Sequence, residues 1–488
     1  FSIRRALMNG ATPREAAIRA VRNVGPACAL TSLTTALALF AMVVTDSSLI
    51  QQFGIGAGMA TLLAFLAVIT IVPTVTVLVC REVKPEDRDP VSQGDGAAVR
   101  TQSRNEMAAV AGSASGIIER IEQRCRSIAR WVTGRQRAIV AVTIPFFVLC
   151  LALHLSLEPN YALSDEVPTT NSSIKTAKLL EARLSGAQPL HIMVTWPEGE
   201  TITSPRVRAA LEQVHDLQSR QPAVTNVWSV DTLRRWLVEN DAYTDEKFLE
   251  YIADLPEHLR LRFLNEDARA LVVTGRVGTV NASDSVPIMG RIDDELAAVR
   301  KAYPDFTFDV SGFVALSSMA SSDMISQLKL GLLTAIVIVV VLIGVAFRSF
   351  YVALISFIPN LLPIVLAGSF LFMTGSGLAY ASVVALTVAF GLAVDDTIHF
   401  LSRFDKERRK APDMTAALAA TLEKVGPVLV LTTLVLLSGL AVTVFSALPA
   451  LQTFGTLVMV TLGAALVADL FALPALMLVV DKLRPKAS

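Results

Sequence analysis

The run Gly391-Leu392-Ala393-Val394-Asp395-Asp396-Thr397-Ile398-His399-Phe400 decides how this sequence is read. It sits in an apolar stretch that begins near Tyr380 and has the composition of a helix in hydrocarbon. One charged side chain at a bilayer centre costs ~2.5–3.5 kcal/mol on insertion scales, and such residues face a bundle interior or wet cavity and mark proton or ion paths. Repulsion and lost hydration oppose ionising two neighbouring carboxyls, which suits a group that must take up and release a proton. His399 lies within one helical turn of both acids. Its place allows a proton relay, and a structural role near the helix end is equally open. Thr397, with Thr432 and Thr433 as facing candidates, can hold water beside the pair. The blander reading places the acids at the cytoplasmic interface, because Arg403 follows Asp396 by only ~10 Å of helix. An aspartate side chain is too short to reach far, which favours the relay.

Working outward, the composition agrees with a membrane chain. Of 488 residues, 53% are hydrophobic and 18% charged, with formal net charge +0, and the mean hydropathy is +0.53. The apolar residues gather into eight stretches, near 24–45, 50–80, 136–155, 328–347, 351–373, 378–402, 425–446 and 452–481. Each reaches the roughly 20 residues needed to span ~30 Å of hydrocarbon. The second and last are long enough to imply tilt, or a break at Pro73 or Pro474. No basic cluster interleaved with aromatics points to nucleic acid. Cys28, Cys80, Cys125 and Cys150 show no disulfide or metal spacing, and no cofactor or metal site is expected.

Basic residues alternate with the spans. They fill the chain start, 81–137, the loop at Arg348, Arg403–Lys410 and the tail at Lys482–Lys486, while the loops around Ser47, Thr374 and Ala447 have none. By the positive-inside rule both termini are cytoplasmic and residues 156–327 lie outside. That segment holds 25 Asp/Glu against 16 Lys/Arg. It reads as two β-α-β halves around a helical insertion near Thr232–Asn265, the pattern of a split β-α-β sheet. Residues 84–115 read as a flexible linker. Ile117, Ile118, Ile121, Cys125 and Ile128 fall at helical spacing, as in an amphipathic helix on a membrane or a solvated connector. The expected units are therefore 1–83 (two spans), 84–135 (linker), 136–155 (one span), 156–327 (an α+β domain) and 328–488 (five spans). The fold class is an α-helical integral membrane protein with one α+β domain.

The chain also repeats itself. A displacement of 401 residues pairs Val24-Gly25-Pro26 with Val425-Gly426-Pro427, Leu30-Thr31 with Leu431-Thr432, Phe53-Gly54 with Phe454-Gly455 and Pro73 with Pro474. About 16 identities fall over some 69 positions, many on Gly, Pro, Gln and Phe. Repeated bundles place a working site at their interface. The second copy has three spans (328–402) ahead of the repeated pair and the first has none, and residue 1 is Phe. An upstream half of the same protein is the expectation. Two further intramembrane signals remain. Pro359, Asn360 and Pro363 predict a helix kink in which Asn360 pairs with carbonyls freed by the prolines, and Asp469 is a second buried acid, read chiefly as a packing partner.

The stretches Ile358-Pro359-Asn360-Leu361-Leu362-Pro363, Gly391–Phe400, Val425-Gly426-Pro427 and Phe454-Gly455, in this order of elements, resemble those of resistance–nodulation–division (RND) superfamily permeases. The likeness is greatest to the mycobacterial-membrane-protein-large and hopanoid-transporter types. The resemblance implies a porter-type outer domain, residence in a bacterial inner membrane, and export of hydrophobic or lipid-like molecules driven by protons. It matches Asp395 and Asp396 to the family's tenth-span acids. It leaves open the cargo and a homo-oligomer. Two readings compete: a sterol-sensing-like lipid-binding regulator without transport, and a protein-translocation accessory. An enzyme is not expected, because His191, His215 and His258 are scattered without a nucleophile or metal-ligand spacing.

Overall fold

A computed structural model describes residues 11–46, 48–79, 97–157, 188–278 and 282–483, with a few single positions between 172 and 183. The expectations for the basic chain start, for residues 84–96 of the linker, for the beginning of the outer segment and for the basic tail lie outside the described residues.

Thr12 caps α1 (Pro13–Phe40), its hydroxyl accepting from the Glu15 amide. A 3₁₀ turn at Ala41–Val44 leads into α2 (Ser48–Val79), and α3 (Ala97–Leu155), kinked at Arg135 where the backbone leaves helical geometry (φ −125, ψ 23), follows. The α+β unit comprises β1 (Gln188–Thr195), α4 (Pro205–Arg220), β2 (Val224–Trp228), α5 (Val230–Glu239), α6 (Asp245–Ala253), α7 (Glu257–Phe263), β3 (Leu264–Asn265), β4 (Ala270–Val277), α8 (Ala282–Ala302) and β5 (Thr307–Ser311). The chain then forms α9 (Phe313–Ala346), α10 (Phe350–Thr374), α11 (Tyr380–Arg408), α12 (Met414–Ala441), α13 (Pro449–Val467) and α14 (Leu473–Leu483). Eight spans among the described residues are long and apolar enough to cross a membrane, with α13 and α14 forming one of them.

In the α+β unit the strand order is β2-β4-β1-β5, with every neighbouring pair antiparallel. This is a split β-α-β sheet. Leu190, Ile192 and Val194 alternate onto one buried face of β1, against Val207, Leu211 and Val214 of α4 and Ile292 and Leu296 of α8. Each such side chain contributes roughly 1.5–3 kcal/mol on burial. Gly312 joins β5 to α9 at φ +118, and a Cβ there would stand 2.7 Å from the Pro189 carbonyl oxygen. Only glycine fits where the sheet hands over to the bundle.

The repeat is written into the geometry at the same displacement. Asp413 caps α12 as Thr12 caps α1, and both helices run 28 residues. The 3₁₀ turn at Val442–Phe445 matches Ala41–Val44. The Gln51 amide donates to the Thr45 carbonyl at 2.6 Å, and Gln452 donates to Ser446 at 2.7 Å. A Cβ on Gly54 would stand 2.7 Å from the Leu39 carbonyl oxygen, and one on Gly455 would collide with the Thr443 hydroxyl. Gln and Gly thus recur because the same tight helical hairpin is built twice.

Three expectations change. Residues 97–115 belong to α3 rather than to an unstructured linker; Ala, Arg, Met and Gln without an internal proline sustain a helix. The stripe through Cys125 and Ile128 is covered by protein, with Cys125 against Gly426 and Arg126 paired with Glu423 at 2.9 Å. α2 runs unbroken through Pro73, whereas the last span is interrupted by a π-bulge at Ala468–Ala472, just before Pro474.

Gly54→Val and Gly455→Val should each lower stability by about 1–3 kcal/mol through overpacking. Gly439→Ala, with nothing within 4 Å of the added carbon, should leave the melting temperature unchanged or slightly higher. Thermal unfolding of the purified variants in detergent checks both.

Candidate functional site

α11 is more enclosed than any other described span, and α2 is the least. It lies between α1 and α12, the two repeat-related helices. Consecutive residues on a helix point about 100° apart, so Asp395 and Asp396 address different neighbours. The Thr35 hydroxyl of α1 lies 3.0 Å from Asp395 Oδ1 and 3.1 Å from the Gly391 carbonyl, and its one proton serves one of the two at a time. Thr433 of α12 donates to Asp396 Oδ2 at 3.4 Å. Gly391 permits the approach of α1, since a Cβ there would stand 3.1 Å from Thr35 Cγ2. Small residues at a helix crossing serve this purpose in membrane bundles.

The basic end of α11 is held by the same two helices. Lys406 donates to the Asn23 carbonyl of α1 at 2.9 Å. Buried Glu407 pairs with Lys424 of α12 at 2.7 Å and with Arg403 at 2.8 Å. Asn23 and Lys424 are counterparts in the repeat. The acid-bearing helix is therefore held at two levels by the two repeat-related helices, at its basic end through equivalent positions.

A second polar cluster lies on another face of α11. The Thr397 hydroxyl is 2.7 Å from Asn360 Oδ1 of α10 and 2.6 Å from Asp469 Oδ1 in the π-bulge. All three residues are buried. α10 stays one helix through Pro359 and Pro363. Asn360 therefore does not pair with freed carbonyls; its side chain reaches across to α11, because a buried amide finds its best partner in the neighbouring hydroxyl. π-bulges inside helices recur at functional sites, and this one turns Asp469 toward α11.

Of the residues singled out from sequence, the structure gathers Asp395, Asp396, Thr397, Thr433, Asn360 and Asp469 around α11. Thr432 instead bonds back to the Val428 and Leu429 carbonyls of its own helix. His399 is half-buried and makes no hydrogen bond to either acid among the described residues. Thr35, Lys406, Glu407 and Lys424 were not singled out. The Thr31, Thr34, Thr35 cluster in an otherwise apolar span was the available signal for the first.

A model of the MMPL family matches residues 2–110 and 166–487, including the acidic run and the greater part of both repeat copies. The chain belongs to the MMPL family. A protein of Methanocaldococcus jannaschii, MJ1562, itself assigned to the membrane by inference, is 22% identical over 359 residues. The match covers 69% of this chain and 91% of that protein. As an MMPL protein, the chain is a multi-pass membrane protein, and membership points to transport of lipid-like substances.

Thr35→Val and Thr433→Val each remove a donor to a carboxyl and should cost about 1–3 kcal/mol. Thr432→Val removes a hydroxyl that touches neither acid and should be close to neutral. Thermal unfolding in detergent separates the three.

Proposed function

We propose that this MMPL protein is an exporter of hydrophobic or amphiphilic, lipid-like molecules driven by proton counterflow through Asp395 and Asp396. The observation behind this reading is that each carboxyl, half-buried on the most enclosed described span, has one hydroxyl partner, and that the two partners come from different repeat-related helices. A hydrogen bond to a charged group contributes ~1.5–3 kcal/mol, comparable with the ~2.5–3.5 kcal/mol insertion cost of a single charge. One hydroxyl each leaves little margin for a second adjacent charge. Proton binding relieves that cost, and proton release restores it.

The consequence is mechanical. A charged Asp395 holds Thr35 and draws α1 onto α11; a charged Asp396 holds Thr433 and draws in α12. A change of protonation shifts which repeat α11 is fastened to, and rocking of one repeat against the other alternates access to the two sides. On the positive-inside reading, with both termini cytoplasmic and the α+β unit outside, protons enter from the side that bears the sheet. The site binds and releases protons and breaks no covalent bond.

Asp395→Asn and Asp396→Asn preserve shape and hydrogen bonding but remove titration. Each should abolish gradient-driven movement of a fluorescent lipid in reconstituted vesicles while leaving gel-filtration behaviour and melting temperature near those of the parent. Unchanged flux in both variants would overturn the reading and favour a lipid-binding regulator.

A further inference from the structure

Asp469 takes no part in the pairing of the two central acids with their threonines. It is 1% exposed, and its Oδ2 has no hydrogen-bond partner among the described residues. Its counterpart in the repeat is Val68, on a helix that runs without a bulge. The fold therefore builds the same span once with no acid and no bulge, so neither is a requirement of packing.

Proton counting at Thr397 is more specific. Its hydroxyl carries one proton, yet it stands within hydrogen-bond distance of two oxygens, Asn360 Oδ1 and Asp469 Oδ1. Suppose Asp469 is a carboxylate. It takes the Thr397 proton, Asn360 Oδ1 then meets the Thr397 oxygen acceptor to acceptor at 2.7 Å, and a charged Oδ2 is left with no donor. Suppose instead that Oδ1 carries a proton. Asp469 donates to Thr397, Thr397 donates to Asn360, and both contacts are sound. The unpaired oxygen is then a neutral carbonyl, far less costly to bury.

We propose that Asp469 is a third proton-binding carboxyl of this transporter, and that Asn360 senses its protonation through the Thr397 hydroxyl. This deepens the proton-driven reading and rests on it. When the Asp469 proton leaves, the Thr397 O–H turns from Asn360 to the new carboxylate, and Asn360 must swing its amide nitrogen to Thr397 or let go. Asn360 lies on α10 between Pro359 and Pro363, where the helix lacks backbone donors and yields most easily. Protonation in the last span thereby reaches α10. Against the bulge, α3 presents Phe147, Cys150 and Trp131, α12 presents Gly426, α10 presents Asn360, and α11 presents Thr397, with Asp396 beside it in sequence.

Infrared spectra of the full chain in an ester-free detergent, recorded across pH, test this through the carboxylic-acid C=O band. The parent protein should show protonated-acid absorption at neutral pH, of which Asp469→Asn removes one component that the Asp395→Asn/Asp396→Asn double variant retains. Asn360→Leu frees Thr397 to stabilise the carboxylate, so the band should disappear at lower pH than in the parent. A neutral-pH band unaltered by Asp469→Asn overturns the proposal. Should Asp469→Asn fail to fold, an unmoved band in Asn360→Leu overturns it equally. The proton-driven reading fails separately, if lipid flux survives loss of Asp395 and Asp396 while the Asp469 band is present.

Discussion

Carboxyls buried in hydrocarbon must be given donors by neighbouring helices, and the arrangement of this bundle follows from how few donors are supplied. Asp395 and Asp396 each meet one threonine, while a water-exposed carboxylate would accept several hydrogen bonds. An environment that fully satisfied both charges would lock them in one state. One that supplied nothing would exclude them from the fold. The single hydroxyl lies between these limits, where the gain from a hydrogen bond and the cost of a buried charge are of similar size.

Duplication explains where the donors come from. α1 and α12 share length, capping position, 3₁₀ exit and hairpin geometry, yet the threonines they aim at α11 are not counterparts. Thr35 corresponds to Leu436, and Thr433 to Ser32. The scaffold is repeated and the polar positions are individual. Adjacent acids on one helix need partners at different angles and depths, which two strictly identical neighbours would not provide. Asp469 opposite Val68 carries the same asymmetry into the final span.

Much of this was legible in the sequence. Eight apolar stretches, the 401-residue repeat, the β-α-β pattern and the acidic run all depend on local composition or on spacing along one chain. The repeat even located Gly54 and Gly455, whose role is a close approach within a short hairpin. What could not be read was partnership between distant helices. Nothing in the order of residues says that Asn360 meets Thr397 rather than a freed carbonyl, or that Thr433 faces α11 while Thr432 turns back on its own helix. One residue on a helix rotates the side chain by about 100°, so a facing residue is fixed only by packing. The interruption of the last span was legible as a break near Pro474, whose ring opposes the Leu470 carbonyl; that it takes the form of a π-bulge aimed with Asp469 at α11 was not.

The central claim is that protons move through this bundle in exchange for a lipid-like cargo. Its most direct test records lumenal pH and fluorescent-lipid movement together in vesicles holding the parent protein. The account predicts proton movement opposite to the lipid, with both abolished when a protonophore collapses the gradient. Lipid movement that continues at the same rate after the gradient is collapsed would contradict it.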